Sequence, residues 1–178
     1  MKPESLELYK KLELSLNELI KVYRHLLGVV RKEKDILISA NLNDLNENNK
    51  SKEAMLNQAH KLEEDRILIT KNLALSESLN ESTRLKELAR HLESQLEGKV
   101  GIEMAERFRN LQTVLELLLT RVKEHNLQNE ILVKSALNRI TGAMGSICET
   151  LADKPTYKKT GDITNRPTDS GQLVSKEA

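Results

Sequence analysis

Leu12, Leu16, Leu19, Tyr23, Leu26, Val30 and Leu37 recur at steps of three and four along the first part of the chain, with only Glu33 interrupting them. That is the period of an amphipathic helix that buries one stripe against a partner. Pro3 and Ser5 precede the stripe, so the helix is expected to begin there, with Ser5 as its cap and Glu7 in its first turn. A second stripe runs through Leu45, Met55, Ala59, Leu62, Ile69 and Leu73, with polar Asn48 and Lys52 in its early positions. Asn41 lies between the two stripes and either ends one helix or caps the next. Two helices of about 30 residues, joined at 41–43, predict an antiparallel hairpin of roughly 45 Å whose stripes satisfy each other. Glu33, Asn48 and Lys52 gather near its turn end. A wet, fraying end is expected there in preference to a specific buried Glu33–Lys52 pair.

Residues 76–82, rich in Ser, Asn and Glu, connect this hairpin (residues 5–75) to a short third helix carrying Leu85, Leu88, Leu92 and Leu96. Gly98 and Gly101 are expected to break that helix. Beyond them comes the longest pattern: Met104, Phe108, Leu111, Leu115, Leu118, Val122, His125, Asn129, Val133, Ala136, Ile140, Ile147 and Leu151. This seam spans about 48 residues, or roughly 70 Å of helix. From Lys154 the period vanishes among Pro155, Gly161, Pro167 and Gly171. The expectation is an all-α protein in which a helical hairpin packs with a short helix and a long C-terminal helix. Residues 1–153 form one helical domain, and 154–178 are a flexible, largely disordered tail.

Composition sharpens this reading. Aromatic residues make up 2% of the chain, with no Trp and one Phe, which is foreign to a sheet protein. The 28 basic and 27 acidic residues leave a net charge of +1, so there is no field to hold nucleic acid or an anionic membrane. The single cysteine, Cys148, excludes an internal disulfide framework. No stretch of 18 apolar residues offers a bilayer span, and the first residues do not read as a signal peptide. A cytoplasmic protein without direct membrane insertion is expected.

Catalytic chemistry finds no purchase. His25, His60, His91 and His125 are widely separated and lack a metal-ligand spacing. The glycine pairs Gly98/Gly101 and Gly142/Gly145 follow no strand and precede no phosphate-loop lysine. Runs such as Glu63-Glu64-Asp65 read as a solvated helix face. No metal, cofactor or enzymatic activity is expected.

What remains is a mismatch of lengths. The last helix exceeds each hairpin helix by about 15 residues, so part of its stripe lacks an internal partner. The part expected to be free is 131–151, where Val133, Leu137, Ile140, Met144, Ile147 and Leu151 could receive an amphipathic helix from another protein. Burying such side chains releases about 1.5–3 kcal/mol each before ordering costs. Upstream, His125 and Asn129, with Asn126 beside them, place a polar layer in the seam. It either sets register or forms a hinge between a docked half and a mobile half. Gly142 and Gly145 soften the following segment, for close helix packing or for adaptability helped by Met144. Cys148 reads as a small packing residue.

The ordered succession of these elements resembles the FlgN-type flagellar export chaperones, which serve the hook-associated proteins. The likeness is carried by 30–37 (Val-Arg-Lys-Glu-Lys-Asp-Ile-Leu), Asn43-Asp44-Leu45, 52–56 (Lys-Glu-Ala-Met-Leu) and 62–66 (Leu-Glu-Glu-Asp-Arg) in the hairpin. It continues with Asn126-Leu127-Gln128-Asn129 ahead of Ala136, Leu137 and Ile140, and with Pro155-Thr156-Tyr157 before Gly161. It covers about residues 6–161. The resemblance implies a non-catalytic cytoplasmic chaperone that binds the C-terminal helices of hook-filament junction proteins and delivers them to the export gate. Thr156 and Tyr157 match the family's Thr-Tyr element. Tyr157, an aromatic isolated in a polar tail, is then the expected contact to the cytoplasmic domain of the FlhA-like gate. The stretch after Gly161 matches nothing in the family. The rival reading is a coiled-coil scaffold or homodimerisation module with no export role, in which the same stripe pairs with its own copy.

Overall fold

The computed structural model describes residues 3–80, 83–95, 99–152, 156–157 and 163–164. Four helices follow in order: α1 (Pro3–Ser39), α2 (Leu42–Ser76), α3 (Leu85–Gln95) and α4 (Lys99–Ala152). Two short strands, β1 (Thr156–Tyr157) and β2 (Ile163–Thr164), pair antiparallel, with Thr156 opposite Thr164 and Tyr157 opposite Ile163. The all-α architecture expected from the stripes is therefore present, with one small ladder that the sequence did not announce. The other residues of the expected disordered tail, and Leu96 and Gly98, lie outside the described residues.

The chain divides into two compact units, Met1–Asn129 and Glu130–Ala178, and the boundary falls inside α4. In the first unit α1 and α2 are 37 and 35 residues long, about 55 and 52 Å of rise, so the hairpin is longer than its stripes implied. Its turn is tight. Ala40 adopts a left-handed φ of 52°, and Asn41 caps α2 by accepting from the amides of Asn43 (3.1 Å) and Asp44 (3.3 Å). Ser5 is not a cap. Pro3 already occupies the first turn of α1, where its missing N–H is no loss, and Ser5 is buried with its hydroxyl 3.2 Å from that of Ser76.

At the far end of α2, Ser78 (φ 57°) reverses the chain. The amide of Leu79 donates to Ala74 O at 2.8 Å and that of Ser78 to Leu75 O at 3.1 Å. This is a Schellman ending, with half-buried Leu79 packed against the core below it. Gly101 does not break a helix as expected. It lies buried in the first turn of α4, where an early glycine costs little because the first amides have no helical partner in any case.

Two apolar clusters hold the unit together. One joins Tyr9, Leu12 and Leu16 of α1, Leu73 of α2, Leu88, Ala89 and Leu92 of α3, and Phe108 of α4. The rings of Tyr9 and Phe108 meet edge to face at 5.8 Å. The other joins Ile20, Leu26, Leu27 and Val30 of α1 to Leu118 and Val122 of α4, with half-buried Met55 of α2 against them. Tyr9 beside Phe108 and Val30 beside Asn129 show that this part of α4 runs parallel to α1. Leu19 is fully buried as the stripe requires, whereas Leu62 is only half-buried.

Candidate functional site

The polar layer is built by three helices. Asn129 is 3% exposed, and its Nδ2 donates to Val30 O (2.9 Å) and to Glu33 Oε2 (3.1 Å). The same Glu33 oxygen accepts from Lys52 Nζ at 2.7 Å, with both side chains largely covered. One turn of α2 earlier, Asn48 donates to Val29 O at 3.3 Å. The turn end thus holds a specific, largely covered pair rather than the wet end that the sequence suggests. The reason is the third partner: Asn129 supplies the extra donor that lets the Glu33 carboxylate stay paired once water is removed.

His125 accepts through Nε2 from Arg31 Nε at 3.3 Å, while Asn126 is half-buried. His125 Nδ1 and Asn129 Oδ1 are buried without a partner. His125 and Asn129 stand out in the seam, but no spacing in the sequence joins them to Glu33, Asn48 and Lys52. The available signal was that the interruptions of all three stripes fall toward one end of the bundle.

The second unit begins where that layer ends. From 130 to 151 no residue is buried; only Leu132 and Cys148 are half-covered. Val133, Leu137, Ile140, Met144, Ile147 and Leu151 are 48%, 61%, 59%, 55%, 52% and 49% exposed. Spaced four, three, four, three and four residues apart, they fall within about 80° of arc and form one continuous stripe. Ile131, also in the range expected to be free, points to the opposite side of the helix on the same geometry. Glu130 and Lys134, on one flank of the stripe at its upstream end, form an ion pair at 2.5 Å, which holds the Glu130 carboxyl below its ordinary range. A Cβ built on Gly142 or Gly145 meets nothing within 4 Å, so neither glycine serves a close helix approach here. Thr156 and Tyr157 make up β1, and their backbones pair with β2.

Within α4 a buried and half-buried run of seam thus gives way to a bare stripe. The profile of the family described as FlgN protein matches residues 1–165. The chain belongs to the FlgN family. No curated protein and no solved structure matches it. FlgN proteins are flagellar export chaperones rather than enzymes, and as a family they bind hook-associated proteins. Among the described residues of this FlgN protein no cluster of His, Cys, Asp and Glu could hold a metal ion, and no helix is long and apolar enough to cross a membrane.

Proposed function

We propose that this FlgN protein acts in the cytoplasm, where it captures the C-terminal helical segments of hook-associated proteins on the stripe Val133, Leu137, Ile140, Met144, Ile147 and Leu151 and delivers them to the export gate. One observation carries the reading: six large aliphatic side chains, aligned on one helix face, are all about half exposed in a chain whose upstream seam is buried. A client helix laid on this stripe gains the apolar burial that no described element of the chain supplies. On this reading 1–153 is the chaperone domain and 154–178 its tail. The layer of His125, Asn126 and Asn129 either fixes the register of α4 on the hairpin or serves as a hinge within α4. Thr156 and Tyr157 contact the cytoplasmic domain of the FlhA-like gate.

The test is coexpression with the hook-associated proteins of the parent bacterium. Leu137→Asp with Ile140→Asp should abolish copurification while leaving helicity and melting temperature close to the parent, because both positions are exposed. Full recovery of the complex would place the client elsewhere. A stable dimer of the free protein that the same substitutions dissociate would mean that the stripe pairs with its own copy.

A further inference from the structure

Arg66, Ile67 and Lys71 of α2, Arg84 and Leu85 at the start of α3, and Gln112 of α4 line a cavity of about 370 Å³ within the first unit. Three cations face it, and among the described residues no carboxylate does. In a chain with 28 basic and 27 acidic residues, a recess lined by one sign of charge is a local excess that the net charge hides. Its low-dielectric walls concentrate that field on whatever enters.

The acids nearby are engaged elsewhere. Glu63 holds Arg66 from the side, accepting from Nε at 2.8 Å and from Nη2 at 2.5 Å, which fixes the guanidinium and leaves Nη1 free to donate. Glu87 caps α3 by accepting from the Arg84 amide at 2.9 Å, so the attraction for an anion comes from side chains and not from the helix terminus. Glu116 accepts from Gln112 at 2.7 Å and lies 3.6 Å from Lys86, and Glu64 lies 3.5 Å from His60. The Lys71 ammonium and the Arg84 guanidinium have no ion-pair partner among the described residues, and both residues are exposed.

The surface beside Lys71 is apolar. Ile67, Leu68 and Leu75 are 43%, 58% and 58% exposed, and together with Lys71 they occupy about 100° of the α2 circumference. This pairing of charge with apolar surface decides between occupants. A small inorganic anion uses the cations and leaves the three aliphatic side chains wet. A peptide that interleaves carboxylates with aliphatic residues is complementary to both.

We propose that the cavity at Arg66, Lys71 and Arg84, with the face of Ile67, Leu68 and Leu75 beside it, is a docking site for a short acidic segment of a partner protein, one whose Asp or Glu side chains alternate with aliphatic ones. Its carboxylates pair with Arg84 and Lys71 and reach the free edge of Arg66, whose planar fork matches a carboxylate. Its aliphatic side chains cover the leucines. The site shares no residue with the stripe at 133–151 and stands independently of the client reading.

The experiment titrates the full chain with synthetic peptides in which Asp and Glu alternate with Leu and Ile, and with matched peptides carrying Asn and Gln instead, read by fluorescence anisotropy at low and high ionic strength. The acidic set should bind about tenfold more tightly than the amide set, by a margin that shrinks as salt is added. Lys71→Gln with Arg84→Gln should remove the margin, and Leu68→Ser with Leu75→Ser should weaken the acidic set. Equal binding of the two sets, or a margin that survives loss of the two cations, overturns the inference. So does full displacement by inorganic phosphate with no dependence on the leucines, which is the behaviour of a small-anion site. A gain in affinity in Glu81→Gln overturns it too, because Glu81, two positions before Thr83 in the sequence, is then the cavity's own carboxylate. Leu137→Asp with Ile140→Asp should leave this binding unchanged; its loss there would assign the acidic peptides to the client stripe and overturn the separate site.

Discussion

Glu77 is pulled in opposite directions. Burial pushes its carboxyl up, but the Ser5 hydroxyl and the His91 imidazole, whose Nε2 lies 3.0 Å from Oε2, outweigh it and hold the group below its ordinary 4.5. Across the cluster Tyr9 donates its hydroxyl to Leu88 O at 3.4 Å, and burial, with the Glu77 charge second, pushes the phenol well above its usual range. A carboxyl lowered by folding contributes stability that is complete above its unfolded value and is lost as pH falls through its folded value. Melting temperature should therefore begin to fall as pH drops past about 4.5, and Glu77→Gln should flatten that part of the profile. Identical acid limbs in the two proteins would assign the loss to other carboxylates. None of this is legible in the sequence, because Ser5, Glu77 and His91 belong to three separate elements. Asn129 teaches the same lesson in the other direction: its place in the seam marks it as special, but its partners Val30 and Glu33 lie 99 and 96 residues away.

The existence and order of the helices are readable from period alone, since each stripe reports a buried side. Their ends are not. Ala40 and Ser78 take left-handed backbone conformations that glycine usually supplies, so nothing in their identity signals a stop, while Gly101 looks like a stop and is helical. Gly142 and Gly145 pose the question most sharply for α4. Both sit off the stripe, with open space where a side chain would be, so each only lowers helix propensity, by about 1 kcal/mol relative to Ala. In the free protein, amides from about 142 should exchange quickly and slow when the client binds. Gly142→Ala with Gly145→Ala should slow them without a client. It should also tighten client binding about fivefold per site, as 1 kcal/mol of ordering cost is removed. Weaker binding would mean that the client backbone approaches the glycines themselves.

Across the whole molecule, the position of the exposed stripe was legible because it follows from lengths: α4 has 54 residues against 37 and 35 in the hairpin. The expected limit at 131 also falls where burial stops, although the period alone does not mark it: the seam runs on unchanged through Asn129 at 3% exposed and Val133 at 48%. That continuity bears on how client and gate could be coupled. The segment 130–152 leads by chain connectivity to β1, where Thr156 and Tyr157 pair in register with Thr164 and Ile163. A short element of this kind offers little area, and Tyr is the side chain that adds most contact for little rotamer entropy. Its affinity for the gate should then depend on the order of the helix before it, because a competent state that is only partly populated lowers the apparent affinity by that fraction. A client that orders the stripe removes this penalty, so the loaded chaperone should bind the FlhA-like cytoplasmic domain more tightly than the empty one. Tyr157→Ala should leave client binding unchanged and abolish gate binding of the loaded complex, both measured by calorimetry with purified components. Loss of both would make Tyr157 part of the client site, and loss of neither would move the gate contact to another surface; only loss of the second alone fits a chaperone whose gate element is switched on through the helix that carries its cargo.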